Sequence, residues 1–374
     1  MIRIVASCTL LAACNYTASL GESVSTPPPG HESVDAGVGA TGPQWPSTAL
    51  VTTLPASHRY GLVGAGGFLY WLDADAASVE RMAFEGGAVV PVTPGPSLSL
   101  AQSGEADRFL AGDDQGLAFV TDGTTPGSAR LVSYTFDGTM VTLATEPEQP
   151  GFLAVAVAAN NVVATTPSSL IAAPRSSGTV VTLASTNPTK CALGAPLAVD
   201  DTNAYFQRAT GAESDGCSIG PYGETGDALL AQVPLGGGSE AWTVHGDGLA
   251  DALVISEGRI YGWTGSPGGV AYVAAGAAVP VAQSSVHDLI VTKVAVRGDF
   301  VYWAGFVGDA HPAISAVGCV SLATGLVHVE SVGPGLVHTL TPGPDAVYFR
   351  ADCAATSNGD ACAADELRRL AYCE

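Results

Sequence analysis

A short apolar strand with an aromatic or branched residue at its centre recurs seven times along the chain, each time after a polar or Gly-containing turn. The centres of these copies are Tyr70, Phe119, Val163, Tyr205, Tyr261, Tyr302 and Tyr348. Their mean spacing is about 46 residues, which lies in the range of β-propeller blades. A repeat of this length predicts an array of similar β-sheets.

Each copy predicts four antiparallel strands. One strand precedes the aromatic strand, as at Leu62–Ala65, and another follows it, as at Ser78–Phe84. A turn such as Asp137-Gly138 then leads into a β-branched run, which is a strong local signal for a hairpin. The aromatic strands are apolar on both faces, as expected for a sheet packed between two others. Four-stranded sheets of this kind are typical of propeller blades.

The last copy lacks its fourth strand, and the segment Ser47–Leu54 resembles the missing piece. An amino-terminal strand added to the last blade would remove the open edges of the ring. We therefore predict an all-β fold, a seven-bladed β-propeller over residues 47–374 that is closed by this strand. The third copy has no aromatic residue, and the fourth spacing is 56 residues long, so six or eight blades remain alternatives.

The charge of the chain limits its partners. It carries 14 Lys and Arg against 35 Asp and Glu, a formal net charge of −21. Nucleic-acid binding needs clustered basic side chains, so we expect no nucleic acid as a partner. With 47% hydrophobic residues, the chain is not disordered as a whole.

The first residues have the pattern of an export signal. Arg3 precedes the apolar stretch Ile4–Ala13, which is too short to span a bilayer as a helix. The run Leu11-Ala12-Ala13-Cys14 resembles the lipobox of bacterial lipoproteins. That resemblance implies a signal peptide over residues 1–13, an acylated Cys14 and attachment to a membrane through this lipid. An ordinary secretory peptide with an incidental cysteine is the alternative.

Residues 14–46 combine the lipidated cysteine with a Ser-, Thr-, Pro- and Gly-rich stretch, which predicts a disordered tether. Asn15 follows the cysteine in place of the Asp that favours retention in the inner membrane of such lipoproteins. The resemblance therefore implies the bacterial cell envelope, and within it the outer membrane.

The run Tyr70-Trp71-Leu72-Asp73 is similar to the repeat of YWTD-type propellers, and the turn before it is similar to those of many bacterial propeller lipoproteins. The YWTD domains have six blades, which differs from the count of seven here. The resemblance implies a scaffold that holds partners or ligands. Fold alone does not select one function.

Six cysteines remain beyond Cys8 and Cys14, an even number that suggests disulfides in an exported protein. Blade topology places Cys191 and Cys217 on one rim, and Cys353 and Cys362 at the two ends of one loop. Cys319 and Cys373 remain as a pair by elimination, although their strands belong to different blades. No Cys-x-x-Cys occurs, which disfavours a metal site.

Two long insertions, roughly residues 209–227 and 352–365, are expected on the same rim as these cysteines. Their acidic residues are Glu213, Asp215, Glu224, Asp227, Asp352, Asp360, Asp365 and Glu366. These side chains either solvate exposed loops or form a site for a cation such as Ca²⁺ or for a cationic partner. We expect no cofactor and no other metal.

The leading hypothesis is a monomeric, non-enzymatic lipoprotein whose propeller presents one rim to a protein or glycan. A hydrolase or lactonase with a metal at the channel mouth is one alternative. It would need acidic residues from several blades, whereas the predicted channel strands are poor in them. A carbohydrate-binding module is the other alternative, and it would need repeated Trp-plus-carboxylate pockets.

Overall fold

Twenty-eight strands in seven four-stranded antiparallel sheets make up the described part of the chain. The computed structural model describes residues 47–55, 57–95, 108–147, 151–158, 160–185, 193–209, 228–245, 253–256, 258–264, 269–274, 277–283, 289–307, 314–333, 336–352 and 364–373. These strands belong to one compact unit, Pro43–Glu374. The predicted signal peptide, Cys14 and tether lie outside the described residues.

The strands of the first three blades follow one another along the chain, after a strand β1 at Thr48–Pro55. Blade 1 contains β2 (Arg59–Ala65), β3 (Phe68–Asp73), β4 (Ser78–Ala83) and β5 (Val90–Pro94). Blade 2 contains β6 (Leu110–Asp113), β7 (Gly116–Asp122), β8 (Ala129–Thr135) and β9 (Met140–Glu146). Blade 3 contains β10 (Ala154–Ala158), β11 (Asn161–Thr165), β12 (Ser169–Pro174) and β13 (Val181–Ser185).

The next three blades repeat this order, and the last blade departs from it. Blade 4 contains β14 (Leu193–Val199), β15 (Asn203–Ala209), β16 (Ala228–Pro234) and β17 (Ala241–His245). Blade 5 contains β18 (Leu253–Ser256), β19 (Arg259–Thr264), β20 (Gly269–Ala274) and β21 (Ala277–Gln283). Blade 6 contains β22 (Leu289–Arg297), β23 (Phe300–Val307), β24 (Ile314–Ser321) and β25 (Val327–Gly333). Blade 7 contains β26 (Leu336–Pro342), β27 (Ala346–Asp352), β28 (Ala364–Ala371) and, on its outer edge, β1.

The seven sheets form a closed ring. The first strand of each blade packs against the first strand of the next, and β26 of blade 7 packs against β2 of blade 1. Strand β1 pairs with β28, from Thr48 opposite Leu370 to Pro55 opposite Ala364. The predicted seven-bladed propeller and its closure by the amino-terminal strand are therefore both confirmed, and six or eight blades are excluded.

Side chains from both faces of the second strand fill the interfaces between blades. Tyr70 is 1% exposed and stacks on Phe136 of blade 2, with ring centroids 5.7 Å apart. Its neighbour Trp71 is fully buried on the other face, in a cluster with Tyr348 of blade 7. This arrangement confirms that both faces of the aromatic strands are buried, because successive side chains of a strand point to opposite faces.

One repeat centre was placed a residue too far along the chain. The turn between the first two strands aligns the blades, since Ala65 pairs with Phe68 in blade 1 and Asp113 pairs with Gly116 in blade 2. The position of Tyr70 therefore corresponds to Ala118, and Phe119 occupies the position of Trp71. In blade 2 the small residue Ala118 lies on the face that Tyr70 occupies in blade 1. The aromatic residue Phe119 lies on the opposite face, so it does not mark the equivalent of Tyr70.

Every blade also carries the same irregularity in its outermost strand pair. The register between the third and fourth strands shifts once in each of the seven sheets. A β-bulge of this kind increases the local twist and bends the strand at a sheet edge. The recurrence of the bulge is independent structural support for the repeat. In the described part of the chain, no helix is long and apolar enough to cross a membrane.

Candidate functional site

The propeller has two rims with different connections. The upper rim is defined as the side that holds the loop between the second and third strands of each blade and the connections between blades. In blade 1 it includes Asp73–Ala77 and Ser57–His58. The lower rim holds the turns that join the first strand to the second and the third to the fourth. In blade 1 these turns are Gly66–Gly67 and Phe84–Val89.

Two long insertions lie between strands at the upper rim. Residues 210–227 separate β15 from β16, and residues 353–363 separate β27 from β28. The turns that join first and second strands on the lower rim are short, as at Gly298–Asp299. The predicted rim acids Glu213, Asp215, Glu224, Asp227 and Asp360 lie outside the described residues. Asp352 is described only as the last residue of β27.

Asp365, which was grouped with the solvated rim acids, has a different environment. Its side chain is fully buried, and one carboxylate oxygen accepts a hydrogen bond of 3.0 Å from Nη1 of Arg59. Burial of an ionised carboxylate requires such a partner. Asp365 therefore holds blade 7 against blade 1 and is not a solvated loop residue. Its neighbour Glu366 remains partly exposed and accepts a hydrogen bond of 2.7 Å from Arg368.

Arg59 is the centre of a buried ionic cluster at this junction. Besides Asp365, its guanidinium lies 3.2 Å from the carboxylate of Asp73 and 3.8 Å from that of Glu80. The indole of Trp71 donates a hydrogen bond of 2.8 Å to Glu80. One cation thus faces three carboxylates from two blades. Each of these contacts is strengthened by the low local dielectric.

A second buried cation supports the same junction from blade 7. Arg350 is fully buried on β27, and its guanidinium donates hydrogen bonds to the backbone carbonyls of Arg59 and Gly61. The carbonyl of Gly61 lies 3.2 Å away, and this glycine has a φ of 63° in the irregular part of β2. Arg350 therefore holds the backbone that carries Arg59.

Above this cluster, three polar residues lie at the surface of the upper rim. The hydroxyl of Ser57 lies within hydrogen-bond distance of Asp73 (2.9 Å) and Asp75 (3.1 Å). The Nδ1 atom of His58 is 3.1 Å from Asp75. The backbone N–H of His58, followed by its ring and by Ser57, lowers the pKa of Asp75 below its usual value.

This surface group does not have the order of a nucleophilic triad. The hydroxyl of Ser57 donates to carboxylates, whereas a nucleophilic serine donates to the imidazole that accepts its proton. Asp73 also accepts the backbone N–H of Ala76 at 2.8 Å, so its oxygens hold the turn and Arg59. The group locks the chain where it passes from blade 7 to blade 1.

Sequence reasoning missed Arg59, although a signal was present. Counted from the turn between the first two strands, Arg59 lies opposite the sixth residue of the second strand, and the residues at this position in blades 4, 6 and 7 are Leu193, Val291 and Val337. Blade 1 has a charged residue where these three blades have an apolar one. A charged residue at a repeat position that is otherwise apolar indicates a buried ion pair.

The carboxyl-terminal segment forms a second junction, between blades 6 and 7 on the lower rim. Cys319 of β24 and Cys373 form a disulfide. The backbone N–H of Cys373 donates to the hydroxyl of Tyr302 at 3.0 Å. The guanidinium of Arg297 lies 4.1 Å above the ring of Tyr372. This is the pair that sequence reasoning reached by elimination. Cys191, Cys217, Cys353 and Cys362 lie outside the described residues.

Acidic residues in two lower-rim turns accept hydrogen bonds that hold these turns. Asp113 accepts the backbone N–H of Gln115 at 2.9 Å and the guanidinium of Arg175 from blade 3. Asp200 accepts the N–H of Thr202 and the hydroxyl of Tyr205. Among the described residues, no group of three or more His, Cys, Asp or Glu side chains is placed to hold a metal ion.

No protein-family model matches the chain, and no curated protein sequence matches it. Among solved structures, the β-propeller domain of the Trilobed protease from Pyrococcus furiosus is similar, with a TM-score of 0.54 and 8% identity over 80% of this chain and 93% of that one. The tricorn protease is similar with a TM-score of 0.54 and 9% identity, over 84% of this chain and 34% of that one.

These likenesses show the β-propeller fold alone, because the identities are low. They also allow one comparison of topology. The Pyrococcus propeller is described as having an open velcro topology. In the present chain β1 pairs with β28, so the ring is closed by a strand from the opposite end of the chain.

Proposed function

We propose that this chain is a lipid-anchored, non-enzymatic binding platform of the bacterial cell envelope, whose propeller holds a basic polypeptide at its upper rim. The lipid on Cys14 supplies the anchor, and residues 15–46 supply the tether. The ring supplies a rigid support, since its blades are joined by apolar interfaces, a buried ionic cluster and a disulfide. Binding sites are commonly carried by loops on such a scaffold.

One observation carries the choice of rim and partner. The longest insertion between described strands, residues 210–227, opens from strands that end at the upper rim, and it contains four acidic residues and no Lys or Arg. A concentration of one sign of charge attracts a partner of the opposite sign and raises its association rate. A segment rich in Lys and Arg is therefore the partner that this rim favours.

The rim is tested by removing its charge and leaving its shape. The variant Glu213→Gln, Asp215→Asn, Glu224→Gln, Asp227→Asn is compared with a control that removes the same charge from exposed lower-rim turns: Asp114→Asn, Asp137→Asn, Asp201→Asn and Asp299→Asn. Binding of poly-L-lysine to each purified protein is measured by titration calorimetry. We expect a severalfold loss of affinity for the upper-rim variant and a smaller change for the control. Equal losses would contradict an upper-rim site.

The anchor is tested separately, in cells. A clickable fatty acid is supplied to bacteria that express the wild type, Cys14→Ser or Cys8→Ser. The wild type and Cys8→Ser are expected to carry the label and to sediment with membranes, since Cys8 belongs to the predicted signal peptide. Cys14→Ser is expected to carry no label. A labelled Cys14→Ser protein would exclude this cysteine as the acylation site.

A further inference from the structure

The tether and the acidic insertions meet the propeller at opposite rims. Strand β1 begins at Thr48, which pairs with Leu370 near the lower end of β28, and ends at Pro55, which pairs with Ala364 at the upper end. The chain that leads back to Cys14 therefore leaves the propeller at the lower rim. The strands that flank residues 210–227 end at the upper rim.

Exposed apolar side chains are concentrated on the same lower side. Among the described residues, the six exposed large hydrophobic side chains are Leu50, Val90, Met140, Val180, Val181 and Leu326. All of them lie at or just before the lower part of the outermost strand of a blade, and their exposed fractions range from 38% to 53%. We call these six residues the lower apolar edge.

Four members of this edge lie in consecutive blades. Val90, Met140 and Val181 are the first residues of the outermost strands of blades 1, 2 and 3, and Val180 directly precedes Val181. The hydroxyl of Thr93 in blade 1 lies 3.2 Å from the sulfur of Met140 in blade 2, so these neighbouring outer strands are in contact. An exposed apolar patch that extends over neighbouring blades marks a surface that contacts a protein or a membrane.

We propose that the lower apolar edge rests in the headgroup layer of the bilayer that holds the Cys14 lipid, so that the acidic upper rim faces away from this membrane. This inference rests on the proposed lipid anchor. It assigns the two rims different roles, one towards the lipid and one towards the polypeptide partner.

The tether alone does not impose this orientation. A Gly- and Ser-rich chain of the length of residues 15–46 has a root-mean-square reach of about 30 Å. A seven-residue strand is about 23 Å long, so the tether could also pass along the blade to the upper rim. Attachment of the tether at the lower rim favours the proposed orientation. Burial of the lower apolar edge in the headgroup layer favours it further.

The charges beside the edge indicate which lipids it contacts. Asp137 lies in the lower-rim turn that precedes Met140, and Glu85 in the turn that precedes Val90, whereas Arg81 lies opposite Val90 and Arg368 opposite Leu50. Carboxylates next to the contact disfavour an anionic surface, because like charges repel. We therefore expect a shallow contact that, at Met140 beside Asp137, is stronger on zwitterionic than on anionic phospholipid.

Photocrosslinking of the full lipidated chain tests the proposal. A benzophenone amino acid is placed at Met140 or, in the same blade, at Thr124, which is exposed in the upper-rim loop between β7 and β8. Each protein is reconstituted into phosphatidylcholine vesicles, irradiated and analysed for phospholipid adducts by mass spectrometry. We expect severalfold more adduct at Met140 than at Thr124, and less adduct at Met140 when the vesicles contain phosphatidylglycerol.

The outcomes separate the two proposals. Intact mass and vesicle flotation report the Cys14 lipid directly, and a chain without acyl mass that does not float overturns the anchor and this inference together. An acylated, floating chain with equal adducts at both positions, or with more at Thr124, overturns the orientation alone. In the variant Val90→Asp, a probe at Met140 should lose adduct, whereas Thr125→Asp on the opposite rim should leave the yield unchanged.

Discussion

The guanidinium of Arg59 donates a hydrogen bond of 3.0 Å to the carboxylate of Asp365, although 306 residues separate them in the chain. Arg59 begins the first blade, and Asp365 lies in the last one. The contact therefore spans the interface at which the ring closes. Asp73 and Glu80 face the same guanidinium, so three carboxylates at this interface depend on one arginine.

Replacing this arginine should destabilise the protein strongly. Arg59→Met keeps much of the side-chain volume but leaves Asp73, Glu80 and Asp365 without their shared cation. Removing one partner of a buried ion pair costs about 3–5 kcal/mol. Urea unfolding followed by circular dichroism should show a loss of this size in the free energy of unfolding.

Arg369→Met is the matched control. Arg369 forms an ion pair of 2.9 Å with Asp345, but both side chains are about half exposed. Exposed pairs contribute up to about 1 kcal/mol, so this variant should remain close to the wild type. A similar loss in both variants would show that the buried cluster contributes no more than a surface pair.

The disulfide is expected to stabilise the junction between blades 6 and 7. Cys319 and Cys373 are both buried, and the bond closes a loop with a sequence separation of 54 residues. The chain-entropy model gives about 4 kcal/mol for a loop of this size. Cys319→Ser with Cys373→Ser should lower the free energy of unfolding by about 2–5 kcal/mol while the strand content is kept. An unchanged unfolding midpoint would contradict a stabilising role.

The repeat made the architecture predictable, because each blade repeats one pattern of apolar strands and turns. The missing fourth strand of the last copy was enough to predict that β1 completes it. The phase of blade 2 was wrong because Phe119, on the opposite face, was taken as the counterpart of Tyr70 when Ala118 occupies that position. Alignment on the turn between the first two strands corrects it.

The contacts at the ring closure were less predictable. Asp365 lies beside a long acidic insertion, and nothing local distinguishes it from solvated loop residues. Its burial follows from the register of β28 against β1 and from Arg59, which is distant in sequence. The pairing of Cys319 with Cys373 has a similar origin, since β24 and β28 end at the same rim in adjacent blades.

Two glycines in turns allow the cost of backbone strain to be measured separately from the cost of steric crowding. Gly66 and Gly127 both have positive φ, 51° and 82°. A Cβ atom on Gly66 would lie 2.7 Å from the ring of Phe136, whereas one on Gly127 would meet nothing within 4 Å. Gly127→Ala should cost roughly 1–2 kcal/mol from strain alone.

Gly66→Ala should cost more than Gly127→Ala, because overpacking adds about 1–3 kcal/mol to the same strain. Thermal unfolding of both variants under identical conditions measures the difference. Equal costs would mean that Phe136 moves aside freely, and the stacking of this ring on Tyr70 would then contribute little to the interface.

Tyr348 is expected to ionise only at high pH. Its burial and its hydrogen bond of 2.9 Å to Asp345 raise the pKa of the hydroxyl to about 12. The raised pKa means that the contribution of Tyr348 to stability is fully present below about pH 10 and is lost as the pH rises towards 12. In an absorbance titration at 295 nm, Tyr348→Phe should show one fewer tyrosine that ionises at high pH than the wild type.

The variant Asp345→Asn adds a check on the cause. Without the carboxylate, the pKa of Tyr348 should fall but remain above that of a free tyrosine, because burial is the larger contribution. A wild-type titration in which every tyrosine ionises near pH 10 would contradict the described burial of this side chain.

The position of the tether and the roles of the two rims both depend on β1 lying along β28. Hydrogen–deuterium exchange on the full chain tests this pairing most directly. We predict that the amides of Thr48–Leu54 that are hydrogen-bonded to β28 exchange together with those of Ala364–Ala371, and far more slowly than the amides of residues 15–46. Exchange of Thr48–Pro55 as fast as residues 15–46, with Ala364–Ala371 still protected, would contradict closure of the ring by the amino-terminal strand.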